Sequence, residues 1–145
     1  PPFALYIKGS LAAFSANEIN LAIIGTRRAT VEGKELAREF ARALAAHGLT
    51  IISGLAFGID AAAHEGCLDA SGTTIAVFAC GLDNIYPHSN ARLAEKILTT
   101  GGALVCKYPI GEPPLPYRFI ERNRIISGLS QGVAVIEAPS PSGVT

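Results

Sequence analysis

Short apolar runs recur along this chain at 21–24, 49–52, 74–79, 103–106 and 132–136, and stretches with helical patterning lie between them. Runs this short, rich in Ile and Val and without polar alternation, suit strands buried on both faces, as in parallel sheets. Parallel strands require right-handed crossovers, so the alternation predicts an open, doubly wound, mostly parallel α/β sheet with helices on both faces. In such a sheet the loops that follow the strands emerge at one edge, where ligands bind. Five sequence-distant segments should meet there: 25–29, 53–57, 80–87, 107–119 and the residues after Glu137.

Helices are expected at 31–47, 59–70, 90–100 and 120–129. The first carries an apolar stripe at Leu36, Ala37, Phe40, Ala41 and Leu44, with Thr30 as N-cap and Gly48 as a left-handed stop. Residues 1–20 read as a lead-in, with a short strand at 5–7 closed by Gly9 and a helical turn at 11–14. Residues 21–145 read as the domain proper.

With 145 residues, 49% of them apolar and 17% charged, the chain can bury the core of one such domain. Its formal net charge of zero argues against a generally basic polyanion binder, so only local clustering of arginine could support one. Cys67, Cys80 and Cys106 lack zinc-ligand or C-x-x-C spacing and read as small buried hydrophobes of a reducing compartment. Neither a bound metal nor another cofactor is expected. No run approaches the length of a membrane span and no signal-like leader is present, so a soluble, cytoplasmic chain is expected. The start at Pro1 without Met and the stop soon after a strand suggest a piece of something longer.

The strand at 21–24 runs into Gly25-Thr26-Arg27-Arg28, directly before a capped helix. That arrangement places two guanidiniums beside unpaired helix N–H groups, an anion site, although a plain turn with solvated arginines is the alternative. Ser53 and Gly54 open a second glycine-bearing turn whose N–H groups could cradle phosphate. G-x-G-x-x-G is absent from the first turn, which excludes the usual dinucleotide fingerprint. Asp60 and His64, four apart on a helix, could form an acid/base couple but more often such a pair is structural. Asp83, Tyr86 and Asn90 suit turn and cap hydrogen bonding, and Glu137 could face a sugar or balance an arginine. The densest feature is YRFIERNR at 117–124, where Arg118, Arg122 and Arg124 interleave with Tyr117 and Phe119 beside Asn123, at the opening of a helix. With Arg27 and Arg28 this would put five of the twelve basic residues at the ligand edge, beside an aromatic on which unpaired bases could stack.

The runs GTRRAT at 25–30, SGLAFGIDAAAH at 53–64, GLDNIYPHSN at 81–90 and RNRIISGLS at 122–130, in that order, resemble the DNA-processing protein A family, also called DprA or Smf. The resemblance covers nearly everything from 21 to 145. It departs at Thr26, where Ser is common, and at Lys107, where Glu is common. It implies a Rossmann-like domain that binds single-stranded DNA during natural transformation, protects incoming strands and helps load the RecA recombinase, as a homodimer, without catalysis and away from membranes. On that resemblance Gly25, Thr26 and Arg27 would hold phosphate, while Phe119, Arg122 and Arg124 would meet the strand. The competing enzyme class is the Rossmann-fold nucleoside-monophosphate phosphoribohydrolases, whose P-G-G-x-G-T-x-x-E block this chain lacks.

Overall fold

The computed structural model describes residues 4–138. Six strands, β1 (Tyr6–Gly9), β2 (Asn20–Gly25), β3 (Thr50–Ser53), β4 (Thr74–Val77), β5 (Ala103–Cys106) and β6 (Gly132–Ile136), form one sheet in the order β1-β5-β4-β3-β2-β6. All neighbours run parallel except β1, which pairs antiparallel with β5. The segment ahead of residue 21 thus belongs to the sheet: Tyr6 lies opposite Cys106, and the 3-10 turn Leu11–Ser15 buries Ala13 against the sheet face.

Helices α1 (Val31–Ala46), α2 (Ile59–Asp69) and α3 (Ala91–Thr99) link β2 through β5, while α4 (Pro116–Gly128) leads back to β6. The chain steps outward from β2 to β5 and then returns to β2's other side. Because crossovers keep one hand, that reversal sends α4 to the opposite face from α1, α2 and α3. Side-chain alternation follows: Ile23 and Ile51 pack toward α1 and α2, whereas Ala22, Ile52, Ile75 and Val77 pack toward Ile125 and Ile126 of α4. The reversal at β2 leaves a crevice at the strands' C-terminal ends, and the first-turn arginines stand beside it.

The α1–α2 contact is built from small residues. Ala37, Ala41, Ala62 and Ala63 are buried there, and a Cβ on Gly66 would lie 2.0 Å from the Arg38 carbonyl oxygen. Thr30 caps α1, its hydroxyl accepting from Gly33 N–H at 3.0 Å, and Gly48 takes a φ of 85°, as the sequence led one to expect. One helix boundary differs by more than a residue. The α4 helix begins four residues earlier than the expected 120, because Pro116 fits the first helical position and holds Leu115 extended. No helix among the described residues is long and apolar enough to cross a membrane.

Candidate nucleic-acid interface

Strand β2 ends at Gly25, where nothing larger fits: a Cβ there would meet the Ile136 carbonyl at 2.0 Å and Ile59 at 2.5 Å. Close approach, rather than an unusual φ, is what this glycine supplies. The loop beyond it is held at both ends by the residue after β6. Thr26 N–H donates to the Glu137 carbonyl at 3.1 Å, and the Glu137 carboxylate accepts from Thr30 N–H and the Thr30 hydroxyl. Glu137 adopts a φ of 54°, uncommon for a residue with a side chain, and so folds back over the loop. Its carboxyl, stabilised as an anion by those donors, is held below its ordinary value. Glu137 therefore occupies the start of α1 and pairs with no arginine among the described residues.

With the α1 N-terminus engaged, the open donors lie just before it. Thr26 Oγ1 accepts from Arg28 N–H at 3.1 Å, which leaves the hydroxyl proton free for an anion. Arg27 and Arg28 are exposed and have no acidic partner among the described residues. They border a cleft of about 470 Å³ together with Gly25, Thr26, Phe119, Arg122 and Asn123. Seven of the eleven site residues expected from sequence thus converge there.

Four do not. Ser53 is fully buried, its hydroxyl donating to the Ile23 carbonyl, so it cannot reach a ligand. Gly54 N–H is taken by Asp60 Oδ2 at 3.0 Å, a buried carboxylate standing where a phosphate would have to sit. Arg118 is buried too: it donates to Glu112 at 2.6 Å and to the Pro113 carbonyl at 2.9 Å, with its guanidinium 4.5 Å from the Tyr108 ring centre. Arg124 is exposed but borders a different groove with Leu5, Lys107 and Leu129. Two residues beyond Arg122 on a helix is about 200° of rotation, which carries it away from the cleft.

Arg122 is nine-tenths buried and serves both fold and cleft. It donates to the Gly54 carbonyl at 2.9 Å and the Val77 carbonyl at 3.3 Å, while Nε reaches Asn123 Oδ1. Gly54 thereby joins Asp60 on its N–H to Arg122 on its carbonyl. A Cβ at Gly54 would lie 2.1 Å from Arg122 Nη1 and 2.7 Å from Asp60 Oδ2, so only glycine admits both. Burial pushes the Asp60 carboxyl up, and the positive charge of Arg122 opposes that rise. Phe119, half-buried, lies under two guanidiniums, that of Arg27 at 4.7 Å and that of Arg122 at 5.4 Å from its centre. The ring holds the two cations together despite their repulsion.

His64 stands apart from the cleft. Thr74 Oγ1 spends its proton on the Ile51 carbonyl, so His64 Nδ1 donates to Thr74 at 2.7 Å and the ring is neutral. Burial lowers its pKa to about 3. Asp83 and Asn90 are structural, accepting from Gly111 N–H and donating to the Leu55 carbonyl respectively, and Lys107 pairs with Glu121 at 3.3 Å. What the sequence did not reveal is the aromatic rim. Phe57 and exposed Tyr86 lie beside Phe119, the Tyr86 and Phe119 ring centres 6.0 Å apart. The only sequence signal was the position of both rings in loops that follow strands.

The family model for DNA recombination-mediator protein A matches residues 1–145. Protein Smf of Escherichia coli is 48% identical over 142 residues, 98% of this chain but 37% of the relative. The X-ray structure of DNA processing protein A from Streptococcus pneumoniae superposes with a TM-score of 0.85 at 40% identity, covering 94% of this chain and 47% of that one. The Helicobacter pylori DNA processing protein A structure, which addresses that protein's unique single-stranded DNA binding mode, gives 0.89 at 36% identity, covering 99% of this chain and 64% of that one. The chain spans less than half the length of the curated relatives it matches, between 31% and 49%.

Proposed function

We propose, for a chain that belongs to the DNA recombination-mediator protein A family, that the cleft at the end of β2 binds single-stranded DNA through its phosphates. One observation carries this: Arg27 and Arg28, unpaired among the described residues, share an open cleft with Thr26, Arg122 and the Phe119 ring. Cations with donors fixed around them suit phosphate oxygens, and contacts to phosphate alone are independent of base sequence. The single-stranded DNA binding mode of the Helicobacter pylori relative supports the same substrate class here.

The wider reading is that of the family: a cytoplasmic homodimer that protects incoming strands during natural transformation and promotes loading of the RecA recombinase, with no catalytic residue and no cofactor. The engagement of Glu137 by Thr30 supports binding over hydrolysis, because a carboxylate fixed at a helix start is poorly placed to act as base or nucleophile.

The test is an anisotropy titration of the full-length protein with single- and double-stranded oligonucleotides of equal length across a salt series. Two to three phosphate contacts give a slope of log affinity against log salt of about −1.5 to −2 on single strands. No binding of the single strand, or a slope near zero, would overturn the proposal.

A further inference from the structure

Beyond the cleft the ligand edge carries aromatic surface that no cation covers. Phe57 follows β3 and Tyr86 lies between β4 and α3; they are 49% and 43% exposed, although rings of this size contribute most to stability when buried. With Arg27 and Phe119 they border a recess of about 20 Å³. That space is far too small for a nucleobase. The Tyr86 and Phe119 planes are also inclined at 59°, so they cannot sandwich a base between them. What these residues offer to a ligand is the outer surface of the rings.

Phe119 is less free to stack, because the guanidiniums of Arg27 and Arg122 already lie over it. Among the described residues no cation is paired with Phe57 or Tyr86 in this way. Their two loops are also tied together, since Asn90 Nδ2 donates to the Leu55 carbonyl at 2.8 Å across 35 residues. Leu55 is itself fully buried, so the loop that carries Phe57 is anchored in the core. Loops anchored in advance lose little freedom on binding.

We infer that Phe57 and Tyr86 form a base-stacking subsite beside the phosphate cleft, taking unpaired bases of the strand whose phosphates Arg27 and Arg28 hold. The subsite rests on the single-strand reading above and adds to it the source of discrimination against duplex. Phosphate contacts bind either form, whereas only an unpaired base presents a face to these rings. The Tyr86 hydroxyl adds a donor and an acceptor for a base edge.

The experiment compares full-length protein and its Phe57→Ala and Tyr86→Ala variants on two single strands, one with bases and one of abasic sites with the same phosphates. Loss of a stacked base should weaken binding of the base-bearing strand about 5- to 150-fold and leave the abasic strand unchanged, while Tyr86→Trp keeps the affinity. Photocrosslinking of wild-type protein to a 5-iodouracil strand should place adducts on Tyr86 or Phe57. Equal losses on both strands, no loss on either, or adducts confined to other residues would overturn the subsite. Wild-type protein that prefers bases to abasic sites yet ignores both substitutions fails the subsite alone; wild-type protein that binds neither strand fails the cleft as well.

Discussion

Glu137 accepts two hydrogen bonds from Thr30, one from its backbone N–H and one from its hydroxyl. Those bonds join the end of β6 to the start of α1 and close the intervening 26–30 loop, so Arg27 and Arg28 project from a segment pinned at both ends. Gly33 is part of the same arrangement, since a Cβ there would stand 2.4 Å from Glu137 Oε2.

Glu137→Ala should lower the melting temperature and weaken single-strand binding together, with unchanged binding of abasic relative to base-bearing strands. The carboxyl sits below its ordinary 4.5 in the folded state, so its contribution is complete above that pH and is lost as the group protonates below it. A melting temperature and affinity both equal to wild type would show that the loop does not need this anchor.

Arg27→Ala removes a cation from the cleft and from the Phe119 ring. Affinity for single strands should fall about equally on any sequence, and the salt slope should lose roughly 0.7, the value of one phosphate contact on a single strand. Thermal scans of the same protein should barely change, because Arg27 is exposed.

The opposite pattern is expected at Arg118. Its partners are Glu112, the Pro113 carbonyl and the Tyr108 ring, so Arg118→Ala should destabilise the loop ahead of α4 and lower the melting temperature by several degrees. Single-strand affinity, measured below the melting range, should stay within about twofold of wild type, the scatter of a surface change of no more than ~0.5 kcal/mol. A selective loss of affinity at unchanged melting temperature would return Arg118 to the binding surface.

His64 makes the fold acid-sensitive. Its folded pKa of about 3 lies below the ordinary 6.5, so the unfolded chain binds the extra proton between these values. Stability is complete above pH 6.5 and declines as pH falls, by up to about 1.4 kcal/mol per unit, or about 2 kcal/mol at pH 5. Asp60, its carboxyl pushed up by burial, acts in the opposite sense and is common to wild type and a His64 variant, so the difference between those two proteins isolates the imidazole. Urea midpoints at pH 7.5 and pH 5 should differ for wild type and much less for His64→Gln; an equal shift in both would assign the sensitivity elsewhere.

The sheet, its crossovers and the α1 cap were legible because each rests on local pattern: short apolar runs, a Thr before a helical stripe, a glycine after it. Topology then brought the 25–28 loop to Phe119, Arg122 and Asn123, although 90 residues lie between Arg28 and Phe119 in sequence. The fates of Ser53, Gly54, Arg118 and Arg124 were not legible, since they depend on which buried partner claims each polar group. Nothing local says that Asp60 will take Gly54 N–H or that Glu112 will claim Arg118. The start of α4 could have been read from Pro116, and with it the rotation that separates Arg124 from Arg122.

The reversed direction of β1 has a consequence for anything joined to this domain. Tyr6 lies opposite Cys106, at the end of β5, so the chain enters the sheet at the same edge from which Glu137 leaves it. Leu5 borders a groove with Lys107 there, and Glu137 touches the 26–30 loop. A module attached by a short linker after β6 would therefore be tethered on the rim of the cleft and not behind the sheet, whereas one attached ahead of β1 would share that edge but lie four strands away from β2. Tethering of that kind gives a second weak DNA-binding unit a local concentration in the millimolar range. Modest affinities on the two units would then multiply along one strand, and a linker too short to follow the strand would forfeit the gain.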